Sequence, residues 1–250
     1  MERAALADRL PFLTARAEVF AWASGAAYAA ALVAEPLIAR PFIGSMAEGQ
    51  SRAEVLSGWF VVQLALRLPA LGLGIAAVRG ARPPVSRSAG AYAWALFLAV
   101  LAVLGTAWIG LWPFSWEAPG SELARDVLVL GQSGYSAIVM VAVLGICVDP
   151  FIEELVCRGA IMQSAARWSN SLVAAAVASA TIFVLGHLWY LDTWGTGAAG
   201  ATALVSLGIF GMVLAFVVTA GFGLWGAIVL HGIRNALELL VLAWMLRSAL

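Results

Sequence analysis

The stretch FIEELVCRG, residues 151–159, sets Glu153, Glu154 and Arg158 close together in a chain that is 63% hydrophobic and only 11% charged. Whether those charges end an apolar run or sit inside one decides how the chain folds. The surroundings point to a membrane. Mean hydropathy is +0.95, and the apolar runs are long enough to cross a bilayer core of about 30 Å, which takes ~20 helical residues. Candidate spans fall near 19–38, 56–78, 91–112, 135–157, 171–191, 199–220 and 223–246. On this count FIEELVCRG lies at the end of the fourth. Backbone polar groups have no water partners in lipid, so spans of this length are helices. The expected fold is all-α: a polytopic transmembrane helical bundle of about seven spans (six to eight), forming one integral membrane domain over residues 1–250.

The joining segments carry turn chemistry, rich in Gly and Pro, at 79–87, 117–122 and 192–197. Arginines give an expected orientation. Arg3, Arg9, Arg16, Arg79, Arg82, Arg87, Arg158 and Arg167 fall on one side, against Arg40, Arg52, Arg125 and Arg247 on the other. The positive-inside rule then places the N-terminus in the cytoplasm, with Trp112, Trp116, Trp189 and Trp194 near the outer interface as an aromatic belt. The first apolar run reads as an uncleaved anchor, because its leader also holds Glu2, Asp8 and Glu18. Formal charge is zero, which gives no reason to expect a nucleic-acid partner. Every basic residue is arginine, which with the abundant alanine fits a bacterial inner-membrane protein from a GC-rich genome. Cys147 and Cys157 lack metal-ligand spacing and read as packing residues. Nothing in the sequence sets the oligomeric state.

Ionisable residues at membrane depth cost roughly 2.5–3.5 kcal/mol each near the bilayer centre, so each is a functional candidate. They are Arg67, Glu153, Glu154, Arg158, His187, His231, Arg234 and Glu238, with Asn235 as a polar companion. Residues four apart share a helix face, so Glu154 can pair with Arg158, and His231 and Asn235 project together. Glu153 is turned about 100° from Glu154 and is left to face the histidines. These groups suit amide hydrolysis. A shielded carboxylate with a histidine can take a proton from water, and a second histidine with an asparagine amide can stabilise the oxyanion that forms. Two histidines and a glutamate are also a zinc set, although the helix-borne HExxH pattern is absent. The preferred reading requires no cofactor; zinc is the alternative.

Glu153-Glu154-x-x-x-Arg158, Phe183-x-x-x-His187 and His231-x-x-x-Asn235, in that order, resemble the CPBP intramembrane proteases, the Abi family of CAAX prenyl endopeptidases and bacteriocin-processing enzymes. The resemblance runs over about 148–240, the expected catalytic core; spans one to three carry no matching motif. It implies a site in a membrane-embedded cavity and a peptide or protein substrate at the bilayer. It further implies that Glu153 and His187 activate water, that His231 and Asn235 hold the oxyanion, and that Glu154 and Arg158 support them. Members often have phenylalanine where this chain has Cys157. Some members are tied to bacteriocin self-immunity, so a binding protein without proteolysis is the competing reading.

Each feature also has a plainer reading. EExxxR at a helix end is often a solvated ion-paired turn, and a histidine or asparagine in a span often only hydrogen-bonds a neighbouring helix. Arg67 and Arg234 read as snorkelling or ion-paired with glutamate, and Asp149 as a cap for the bend at Pro150. Straight helices rising ~1.5 Å per residue would separate Glu153 and His187 by more than about 10 Å along the membrane normal. A single site therefore requires a bend at Pro150, a tilt, or a re-entrant start to the fifth helix.

Overall fold

All regular structure among the described residues of the computed structural model (15–46, 52–78, 89–111, 142–188 and 197–248) is helical. The leading arginines Arg3 and Arg9, the segments 79–87 and 117–122, and the four belt tryptophans lie outside those residues. Helices α1 (Ala15–Met46), α2 (Arg52–Val78) and α3 (Ala89–Leu111) coincide with the first three apolar runs. The next run, α4, spans 144–169 as four joined pieces: a π-helical turn Leu144–Val148, α-helical Asp149–Glu154, π-helical Leu155–Ile161 and α-helical Met162–Ser169. Helices α5 (Leu172–Leu185), α6 (Ala198–Val217) and α7 (Gly223–Ser248) complete the bundle.

The fourth helix does not stop where the charges suggested. It runs through Arg158 to Ser169, and every residue from 152 to 166 is buried. FIEELVCRG is thus the middle of a central helix enclosed on all sides, not the end of a span. The expected boundary failed because arginine normally marks an interface, whereas Arg158 is neutralised inside the protein. The helix ends at Asn170, which adopts the left-handed conformation (φ 53°). Ser171 then caps α5 by accepting from the Ala174 backbone N–H at 3.2 Å.

Helices α1 and α2 pack together and against one side of α4, while α5, α6 and α7 cover the other, with α3 behind α6. Phe183, Phe210, Leu207, Leu214, Cys157 and Met162 fill the latter side; Tyr28, Ile152 and Val156 fill the former. The stretch Ala198–Val241 is 44 residues of unbroken hydropathy, and with Val61–Val78 it is long and apolar enough to cross a membrane. It is nonetheless two helices. Gly221 (φ 104°) and Gly223 (φ 64°) take backbone conformations that side chains disfavour, and α7 beyond them packs against α6.

Apolar residues face outward: α3 exposes Trp94, Phe97, Leu98 and Leu101. Glu35, Arg67, Glu153, Glu154, Arg158, His231 and Arg234 are all buried. Polar inside and apolar outside is the arrangement that a lipid solvent selects.

Candidate active site

Glu153 and Glu154 leave the centre of α4 in different directions. Glu154 Oε1 accepts from Arg158 Nη1 at 2.8 Å, with both side chains fully buried. It also contacts His231 Nδ1 at 2.9 Å. Arg158 continues to the Gly211 carbonyl on α6 through Nη2 at 2.9 Å, and its guanidinium lies 4.8 Å from the centre of the Phe183 ring. These short contacts are of the charge-assisted kind, and they tie α4, α6 and α7 together.

His187 follows the last turn of α5, with its backbone N–H on the Val184 carbonyl at 2.9 Å. Its Nδ1 lies 2.8 Å from the Phe183 carbonyl oxygen. A carbonyl only accepts, so the hydrogen belongs on Nδ1 and the neutral ring keeps its lone pair on Nε2. By the same argument, Glu154 places a hydrogen on Nδ1 of His231. Both rings therefore present Nε2 to Glu153: His187 Nε2 is 4.0 Å from Oε1, and His231 Nε2 is 3.8 Å from Oε2. Phe183 sits against both rings, 4.6 Å from His187 and 5.5 Å, edge to face, from His231. That contact explains why a phenylalanine stands four residues before the histidine. The vertical separation expected from straight spans is absent, because Glu153 lies mid-helix on α4 and not at its end.

Arg158, Glu154, His231, Glu153 and His187 thus form one connected constellation. Asn235 does not join it. Its Nδ2 donates to the Gly145 carbonyl at 2.8 Å, in the π-helical turn before Pro150. Proline has no N–H to give the preceding turn, and the Ile146 carbonyl, four residues back, is met by α7 at Gly232. A Cβ at that glycine would fall 2.6 Å from the Ile146 oxygen. Asn235 and Gly232 therefore dock α7 onto the irregular turn of α4.

Glu153 has further neighbours from helices that carry no motif. Tyr28 of α1 donates its hydroxyl to Oε1 at 3.4 Å, and Arg67 Nη1 of α2 lies 3.6 Å from the same oxygen. Arg67 also pairs with Glu35 at 2.8 Å and Asp149 at 3.0 Å. Sequence reasoning passed over Tyr28 and Glu35 and gave Asp149 only a capping role. The available signal was Glu35 itself, an acidic residue inside the first apolar run, together with Gln63 and Arg67 on one face of α2. Arg234 is ion-paired as expected, with Glu238 at 2.6 Å, and also lies over Phe210.

Cys147 and Cys157 are both free thiols. Among the described residues, no group of three or more His, Cys, Asp and Glu side chains is disposed to hold a metal ion.

A buried glutamate therefore faces two oriented imidazoles inside a bundle whose exterior is apolar. Residues 135–237 match the family described as type II CAAX prenyl endopeptidase Rce1-like. That match agrees with the resemblance carried by the three motifs and includes Glu153, Glu154, Arg158, His187, His231 and Asn235. Tyr28, Glu35 and Arg67 lie outside it. No curated protein and no solved structure matches the chain.

Proposed function

We propose that this chain is an intramembrane endopeptidase that hydrolyses a peptide bond through an activated water, with no covalent acyl-enzyme. One observation carries the reading: Glu153 lies 4.0 Å and 3.8 Å from the Nε2 atoms of two histidines whose Nδ1 atoms are already committed. Those distances are too long for direct hydrogen bonds and suit one water shared between the groups. Glu153 and His187 take a proton from that water as its oxygen adds to the substrate carbonyl. The negative charge that develops on the carbonyl oxygen is met by His231. Because its Nδ1 hydrogen is given to Glu154, His231 donates from Nε2 only as the imidazolium, and the Glu154 carboxylate balances that charge. Proton return to the leaving amine completes the cleavage. Asn235 contributes to the oxyanion in this reading only after giving up its bond to Gly145.

The single domain has seven spans, with the N-terminus in the cytoplasm of a bacterial cell. Its substrate is a bacterial signalling peptide, a bacteriocin precursor or a membrane protein. The competing reading, a binding or immunity protein of the same family, needs the fold but not the reacting groups.

Reconstituted protein presented with a peptide library separates the two. Wild type cleaves, while Glu153→Gln and His231→Ala do not; equal turnover in all three would sink the assignment. Turnover that survives a strong chelator supports glutamate chemistry, and loss that added zinc restores supports the zinc alternative.

A further inference from the structure

The two glutamate oxygens have unlike surroundings. Oε2 faces His231 Nε2 at 3.8 Å. Oε1 is approached by the Tyr28 hydroxyl at 3.4 Å and Arg67 Nη1 at 3.6 Å, and more distantly by His187 at 4.0 Å. A carboxylate only accepts, so the phenol is the donor. At 3.6 Å the guanidinium acts by charge more than by a directed bond.

Arg67 is itself held. Its Nε and Nη2 meet the two oxygens of Glu35 at 2.8 Å and 3.4 Å, a side-on fork that sets the plane of the guanidinium. Nη1 is then directed at α4, where it reaches Asp149 at 3.0 Å and, one turn on, Glu153. Gln63, one turn before Arg67 on α2, adds a 3.4 Å bond to Glu35. Three carboxylates share one guanidinium, two of them, Glu35 and Glu153, buried and Asp149 partly exposed. As packing alone this is poor design, since apolar residues of similar volume serve stability as well or better than a buried ionic group.

We propose that Tyr28 and Arg67 are positioning residues that hold Glu153 by Oε1, with Glu35 and Asp149 orienting Arg67, so that Oε2 is the oxygen turned to the reacting water and His231. This rests on Glu153 being the base. The motif-free helices α1 and α2 are then part of the machinery, and the site is assembled from both ends of the chain.

The test uses the full-length protein in vesicles, with Arg67→Gln, Arg67→Lys, Glu35→Gln and Tyr28→Phe. Modification of Glu153 by a hydrophobic carbodiimide, followed by mass spectrometry, reads the restraint on the carboxylate without any substrate. Arg67→Gln raises that rate about ten-fold and, on a cleaved peptide, lowers kcat by about 10–100-fold with KM within about three-fold, as small misplacement of a reacting group does. Arg67→Lys recovers part of both effects, and Glu35→Gln and Tyr28→Phe shift both in the same direction by less. An unchanged carbodiimide rate in Arg67→Gln, with only a lower unfolding temperature, overturns the proposal. If wild type cleaves no peptide, the proteolytic reading fails by itself while the labelling result still decides whether Arg67 and Tyr28 hold Glu153.

Discussion

Glu153 and Glu154 are adjacent in the chain, share His231, and yet have unlike surroundings on two faces of α4. The Glu154 side is tightly bound: contacts of 2.8 and 2.9 Å join its Oε1 to Arg158 and His231, and Arg158 goes on to the Gly211 carbonyl, so these partners come from α4, α6 and α7. The Glu153 side is open. Its contacts to Tyr28, Arg67, His187 and His231 are each 3.4 Å or longer, and half of them come from α1 and α2. Short charge-assisted bonds fix a geometry; a carboxylate shared loosely among donors keeps the freedom to exchange a proton. The difference teaches that two identical side chains, one residue apart, are divided between holding and reacting by what surrounds them.

The largest expected effect breaks or confirms that division directly. Glu153→Gln lowers peptide hydrolysis by about 10²–10⁴-fold, the range for loss of a general base, while leaving the unfolding midpoint in micelles near that of wild type. Were Glu154→Gln to leave stability intact and abolish turnover just as completely, the two sides would not be distinct. Next comes Arg158→Met, which strands the Glu154 carboxylate and destabilises by about 3–5 kcal/mol in denaturant titration. Adding Glu154→Gln recovers much of that loss, because the charge left unpaired is gone. Gly232→Ala tests the docking of α7 on the Pro150 turn. Its new methyl meets the Ile146 carbonyl, and overpacking of this kind costs about 1–3 kcal/mol, read as a lower unfolding temperature. The smallest effect is expected where neither network is touched. Arg167→Gln removes a partly exposed 3.3 Å pair with Glu18 and changes stability by less than about 1 kcal/mol.

Legibility in the sequence tracked distance along the chain. The pairing of Glu154 with Arg158 followed from helical spacing, and so did the rotation that frees Glu153. The runs that became α1, α2, α3, α5, α6 and α7 were visible as hydropathy punctuated by glycine and polar residues. The end of the fourth helix was misplaced because Arg158 and Arg167 read as an interface, when one is buried against Glu154 and the other pairs with Glu18 on α1. His231 and Asn235 share a face as expected, but the amide partner was invisible. It is a backbone carbonyl in the π-helical turn of α4, ninety residues away.

The order and spacing of the three motifs, the apolar runs and the i,i+4 pair within α4 were determined by the sequence alone, because rise and rotation per residue are properties of any helix. Only the tertiary structure decided which carboxylate stays open. Tyr28 reaches Glu153 across 125 residues and Arg67 reaches Asp149 across 82, and His231 finds Glu154 across 77. Contacts at such separations follow from how helices pack, and helix packing depends on the shapes of whole faces and not on any local pattern.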